Sequence, residues 1–174
     1  AMNGIGLNHI DVNYATLKGI AVLNVPDASV ESVAELAIGL MIGLARKVAP
    51  AFESVRQGEW NKHAFVGTEL CGKTLGIIAL GKIGSRVARI AQAMGMNVVA
   101  YDPYVAPEAA EKLGIKLLTL DELLSSADVI SIHAPLTPST YHLLNREALS
   151  KTKKGVLIIN TGRGAVVDEE ALYE

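Results

Sequence analysis

The sequence predicts an α/β protein with a doubly wound parallel sheet, and three observations carry that prediction. Short apolar runs alternate with amphipathic helical stretches from Thr74 onward. A glycine-rich turn joins the first of these runs to the helix that follows it. The next run closes on a carboxylate, Asp102.

Residues 1–27 hold a Gly4-Ile5-Gly6 turn, a short helix over Val12–Lys18 and a strand over Ile20–Val25 stopped by Pro26. This is too little to fold alone. Ser29, with Glu31 in the first turn, serves as the N-cap of a helix running to about Val48. Val33, Leu36, Ala37, Leu40, Met41 and Leu44 form one apolar stripe of that helix, and Ile38 and Ile42 add a second. A single sheet covers only one such face, so the helix 30–48 is expected to carry a homodimer interface. Pro50 starts the next helix, Gly58 ends it, and a polar loop reaches Gly72.

Leu75–Ala79 is a short apolar run, as a strand buried on both faces requires. Ala79-Leu80-Gly81-Lys82-Ile83-Gly84 then fills a G-x-G-x-x-G pattern, with alanine in the first glycine's place. Gly81 lets a pyrophosphate approach the backbone, Gly84 lets helix and strand pack closely, and the N–H groups of Lys82 and Ile83 face the phosphates. Ala79 must make the tight turn with a methyl group, which a negative φ would accommodate at little cost. Val87, Ile90, Ala91 and Met94 form one helix face, and Gly95 stops it. Strand Asn97–Tyr101 ends at Asp102, 18 residues after Gly84, against about 20 for the acid that holds an adenosine ribose. A carboxylate there accepts from both ribose hydroxyls and repels a 2′-phosphate, so the expected cofactor is NAD.

The alternation continues with a helix from Pro107 to Leu113, a strand Ile115–Leu118 and a helix Glu122–Ser126 capped by Asp121. A strand Val129–His133, a helix capped by Asn145 and a strand Val156–Asn160 follow. In a parallel sheet ligands bind beyond the carboxyl ends of the strands, which singles out His133-Ala134-Pro135 and Asn160-Thr161-Gly162-Arg163-Gly164. Arg163 is a fixed-charge planar donor able to hold a carboxylate bidentately and polarise a neighbouring carbonyl; an ordinary surface ion pair is the bland alternative. His133, closing a buried strand, is read as structural.

Composition narrows the function. The 16 Lys and Arg against 18 Asp and Glu leave a net charge of −2, with the basic residues spread along the chain, so no nucleic-acid partner is expected. The longest strongly apolar run, Leu36 to Ala45, falls short of the roughly 20 residues of a membrane span. No signal peptide precedes it. Cys71 is the single cysteine, which excludes an internal disulfide and fits a reducing cytoplasm, with Cys71 a small packed residue. His9, His63 and His142 lack neighbours at ligand spacing, and no metal site is expected.

Six stretches, NGIGLNHID, NVPDASVESVAELAIGLM, GKTLGIIALGKIG, YDPY, HAPLTPSTYHLLN and INTGRGAVVDEEAL, together resemble the D-isomer-specific 2-hydroxyacid dehydrogenases over essentially the whole chain. The resemblance implies hydride transfer between NAD(H) and a D-2-hydroxy or 2-oxo acid, 3-phosphoglycerate being favoured. A glyoxylate or hydroxypyruvate reductase and a non-enzymatic NAD-sensing binding protein are the alternatives. It implies Ile5 and Gly6 at the substrate, Lys82 and Ile83 at the pyrophosphate, Asp102 at the ribose, and Ala134, Pro135, Thr140 and Thr161 along the adenine and nicotinamide sides. Arg163 matches the family's catalytic arginine. Asn8 stands where the family usually has Asp, which removes a charge near the substrate loop. The resemblance further implies that residues 1–27 end a substrate domain and 28–174 form the NAD-binding domain short of its last strand, with a catalytic Glu and His supplied beyond Glu174.

Overall fold

The structure, a computed structural model, describes residues 1, 6, 7 and 9–174. Helix α1 spans Val12–Leu17, with Asp11 accepting the Tyr14 N–H at 2.8 Å as its cap. Residues 20–25 form no strand; Asn24 alone of them makes a bridge. Helix α2, Val30–Ala45, stops short of Val48, and α3 runs Val48–Arg56. The break lies at Lys47, whose φ of 54° is left-handed and cannot continue a right-handed helix. Ser29 precedes α2 but its side chain caps nothing.

From β1 (Thr74–Ile78) the chain alternates through α4 (Lys82–Ala93), β2 (Asn97–Tyr101), α5 (Pro107–Glu111), β3 (Lys116–Leu117), α6 (Leu120–Ser126), β4 (Val129–Ile132), α7 (Arg146–Ser150) and β5 (Leu157–Asn160). A 3-10 turn, Gly164–Val166, and α8, Glu169–Tyr173, follow. Thr119, not Asp121, caps α6. Its hydroxyl accepts the Glu122 N–H while the Glu122 carboxylate accepts the Thr119 N–H, the reciprocal box that T-x-x-E spacing builds.

The sheet is all parallel in the order β3-β2-β1-β4-β5. Ile78 pairs with Tyr101 on one side and Ile132 on the other, and Ile132 pairs with Asn160. The carboxyl ends of four strands are therefore level, and Ala79, Asp102, His133 and Thr161 emerge along one edge. Alternation sends Leu75 and Ile77 into a core shared with α2 and α4, and sends Ile78 into a second core with α6 and α7. Each such fully buried aliphatic side chain contributes about 1.5–3 kcal/mol. Helix α2 buries Ala34, Ala37, Ile38, Met41 and Ala45. Leu36, Leu40 and Leu44 stay exposed on its other side.

Candidate functional site

The site grows from the turn between β1 and α4. Ala79 sits at φ 73°, so the accommodating negative φ expected for it is not what the chain adopts. Its methyl is held in the left-handed region at a cost of roughly 1–2 kcal/mol, offset by packing around the turn and by the bond from the Ala79 N–H to the Tyr101 carbonyl at 3.0 Å. That turn aims the Ala79 carbonyl at Gly84, where a Cβ would lie 2.3 Å from its oxygen. Only hydrogen fits there. Gly81, by contrast, has open space where its Cβ would project, the room a pyrophosphate needs for close approach. Helix α4 has no acidic residue in its first turn, and the N–H groups of Lys82 and Ile83 have no preceding helical carbonyl to bond. Its N-terminus suits an anion.

Asp102 reaches back to this turn. One carboxylate oxygen accepts the Leu80 N–H at 2.8 Å and the other the Tyr104 N–H at 2.8 Å. Each oxygen keeps lone-pair capacity for a further donor, so the carboxylate is aimed rather than consumed. Gly81, Asp102, Ala134, Pro135 and Thr140 line one cavity of about 390 Å³ together with Tyr101. The Thr140 hydroxyl is spent on the loop itself, donating to the Pro135 carbonyl at 2.6 Å and accepting the Thr137 N–H at 2.8 Å. Thr140 thus shapes the wall of the cavity. Lys82 faces an adjoining cleft, where its ammonium pairs with Asp27; one turn on, Arg86 pairs with Glu31 at 2.7 Å. Spacing could not reveal these pairs, since the partners stand far apart in the chain. Gly6 is half-buried, and Ile5 lies outside the described residues.

His133 closes β4. Its Nε2 lies 3.0 Å from the Ser131 hydroxyl and its Nδ1 3.5 Å from the Thr161 hydroxyl. Burial pushes its pKa down to about 4, so the ring is neutral at physiological pH and structural in that sense. Thr161 and Arg163 stand just past β5, outside the cavity that holds Asp102. Asn160, the last residue of β5, folds its side chain over the turn to Arg163. Cys71 is exposed rather than packed, lying in the turn that precedes β1. Among the described residues no three His, Cys, Asp or Glu side chains gather as a metal site would need, and no helix is long and apolar enough to cross a membrane.

A carboxylate just past β2, a glycine turn with room for phosphate and a helix N-terminus at one sheet edge fit a dinucleotide. Comparison with known proteins agrees. Residues 38–174 match the family model described as D-isomer specific 2-hydroxyacid dehydrogenase, NAD binding domain. A D-3-phosphoglycerate dehydrogenase of Methanocaldococcus jannaschii is 50% identical over 98% of this chain and 33% of its own length. A hydroxypyruvate reductase of Thermotoga maritima is 53% identical over 100% of this chain and 56% of its own. Among solved structures, D-lactate dehydrogenase from Aquifex aeolicus, complexed with NAD and lactic acid, superposes with a TM-score of 0.89 at 42% identity, covering 98% of this chain and 51% of that one. The chain thus spans a third to just over half the length of these relatives. It belongs to the D-isomer specific 2-hydroxyacid dehydrogenase family, of which it carries the NAD-binding domain.

Proposed function

We propose that the protein is the nucleotide-binding part of an NAD-dependent dehydrogenase that oxidises a D-2-hydroxy acid, with 3-phosphoglycerate as the favoured substrate. The observation that carries this reading is the common edge on which the sheet presents Asp102 after β2 and Arg163 after β5. Asp102 takes the ribose hydroxyls, and the N–H groups of Lys82 and Ile83 take the pyrophosphate over Gly81. Ala134, Pro135 and Thr140 form the adenine side and Thr161 the nicotinamide side. Ile5 and Gly6 touch the substrate. NAD, when bound, supplies the hydride acceptor.

The Arg163 guanidinium is a planar cationic donor, so it orients the substrate carboxylate and stabilises charge on the carbonyl oxygen. The reaction also takes a proton from the hydroxyl group. His133, buried and neutral with a pKa of about 4, is poorly matched to accept that proton near neutrality. An acid-base histidine and its partner carboxylate supplied by sequence beyond Glu174 fit this role, and residues 1–174 alone should turn over no 2-hydroxy acid. The likeness to a hydroxypyruvate reductase supports a second reading, in which a 2-oxo acid without phosphate is reduced at the same site. Steady-state assays of the full-length protein on 3-phosphoglycerate, hydroxypyruvate, glyoxylate and D-lactate separate the two. A kcat/KM highest for 3-phosphoglycerate supports the first reading, and one highest for hydroxypyruvate replaces it with the second. NAD binding without turnover of any of the four would make the protein a binding module.

A further inference from the structure

We infer that Asn160 is a positioning residue for Arg163, and that its carboxamide sets where the guanidinium meets the substrate. The inference rests on the reading of Arg163 as the group that holds the substrate carboxylate. The Asn160 side chain spans the turn with both ends of its amide: Oδ1 accepts the Gly162 N–H at 3.0 Å, and Nδ2 donates to the Arg163 carbonyl at 3.1 Å. The same Arg163 carbonyl accepts the Val166 N–H at 3.1 Å. Arg163 therefore sits between a clip from the strand behind it and the 3-10 turn ahead of it.

The downstream side is anchored independently. Val166 and Val167 are buried, the Leu144 N–H bonds the Val166 carbonyl at 3.1 Å, and the Asp168 N–H bonds the Leu144 carbonyl at 3.0 Å. On the upstream side β5 ends at Asn160, paired with Ile132, so residues 161–163 lie past the last pair of that ladder. Gly162 packs close to the neighbouring loop, where a Cβ would stand 3.1 Å from the Ala134 carbonyl oxygen. The carboxamide holds the turn where the ladder has let go. Asparagine is the residue type that both accepts and donates from one planar group. Removing it loosens the upstream side of the turn that carries Arg163 without touching the guanidinium, and a misplacement of order 1 Å is enough to cost about 10²-fold in rate.

The test is a double-mutant cycle in the full-length enzyme, on the best substrate of the panel above, with NADH affinity and thermal midpoint measured alongside. Asn160→Ala should lower kcat/KM about 30-fold, within that bound, through both a raised substrate KM and a lowered kcat. NADH affinity should fall by far less than kcat/KM, because neither Asn160 nor Arg163 lines the cavity that holds Gly81 and Asp102. Asn160→Asp keeps the acceptor for Gly162 but turns an oxygen against the Arg163 carbonyl; it should lose activity equally and decides the matter if the alanine variant fails to fold. Added to Arg163→Ala, either change should cost nothing more. A variant within three-fold of wild type, or costs that multiply in the double mutant as independent structural damage would, overturns the inference while leaving Arg163 in place. Normal kcat/KM for Arg163→Ala alone overturns the proposed function and this inference with it.

Discussion

At Ala79 the chain holds an alanine at φ 73°, a conformation glycine takes freely. Ala79→Gly should therefore raise stability by about 1 kcal/mol, the left-handed penalty less the entropy glycine returns to the unfolded chain; urea unfolding measures it, and a loss would show that the methyl packs productively. Gly84→Ala should do the reverse, since its Cβ would meet the Ala79 carbonyl oxygen at 2.3 Å and the turn must open, at a cost of about 1–3 kcal/mol. His133 imposes a pH dependence whose sign follows from its depressed pKa. Above pH 6.5 the ring is neutral folded and unfolded and contributes nothing. Below 6.5 the unfolded chain takes a proton that the folded chain refuses until about pH 4, so stability falls through that window by about 3 kcal/mol at 1.4 kcal/mol per unit. His133→Gln should remove that part of the acid slope, and an unchanged slope between pH 7 and 4.5 would assign the loss to other groups.

Among the elements, the βαβ unit from β1 to Asp102 was the most legible in the sequence, because apolar runs, glycine spacing and a terminal acid all speak for one geometry. Strand β2 falls on the expected residues, Asn97–Tyr101. What stayed hidden depended on partners remote in sequence or on backbone angles. The expected strand over 20–25 has the composition of one, but of those residues Asn24 alone makes a bridge. The break at Lys47 is a left-handed residue that no composition marks. The place of Asp102 just past β2 was readable, but its hold on the Leu80 and Tyr104 N–H groups was not. That hold changes what mutation should do. Asp102→Ala should narrow the preference for NADH over NADPH, since like-charge contact in a crevice costs several kcal/mol, and should also weaken NADH itself by loosening the glycine turn. Isothermal titration with both cofactors checks this; unchanged NADH affinity would mean that the turn holds without the carboxylate.

The described residues leave an apolar face uncovered, since Leu36, Leu40 and Leu44 of α2 are exposed, as are Val48 and Phe52 of α3. We propose a two-fold homodimer through this face in the full-length protein, burying more than about 1,000 Å². Leu40→Glu should convert it to monomers in sedimentation at micromolar concentration, and a wild-type protein that sediments as a monomer contradicts the proposal. At the sheet edge we propose that Asp102 serves the nucleotide and Arg163 serves the substrate. The most direct test is to measure kcat/KM and the NADH dissociation constant together for Arg163→Ala and Arg163→Lys in the full-length enzyme. In the alanine variant kcat/KM should collapse by about 10²-fold or more, lysine should restore little because the bidentate fork is lost, and NADH affinity should barely move. Near-normal kcat/KM in the alanine variant, or a loss matched by an equal loss of NADH affinity, would contradict that assignment.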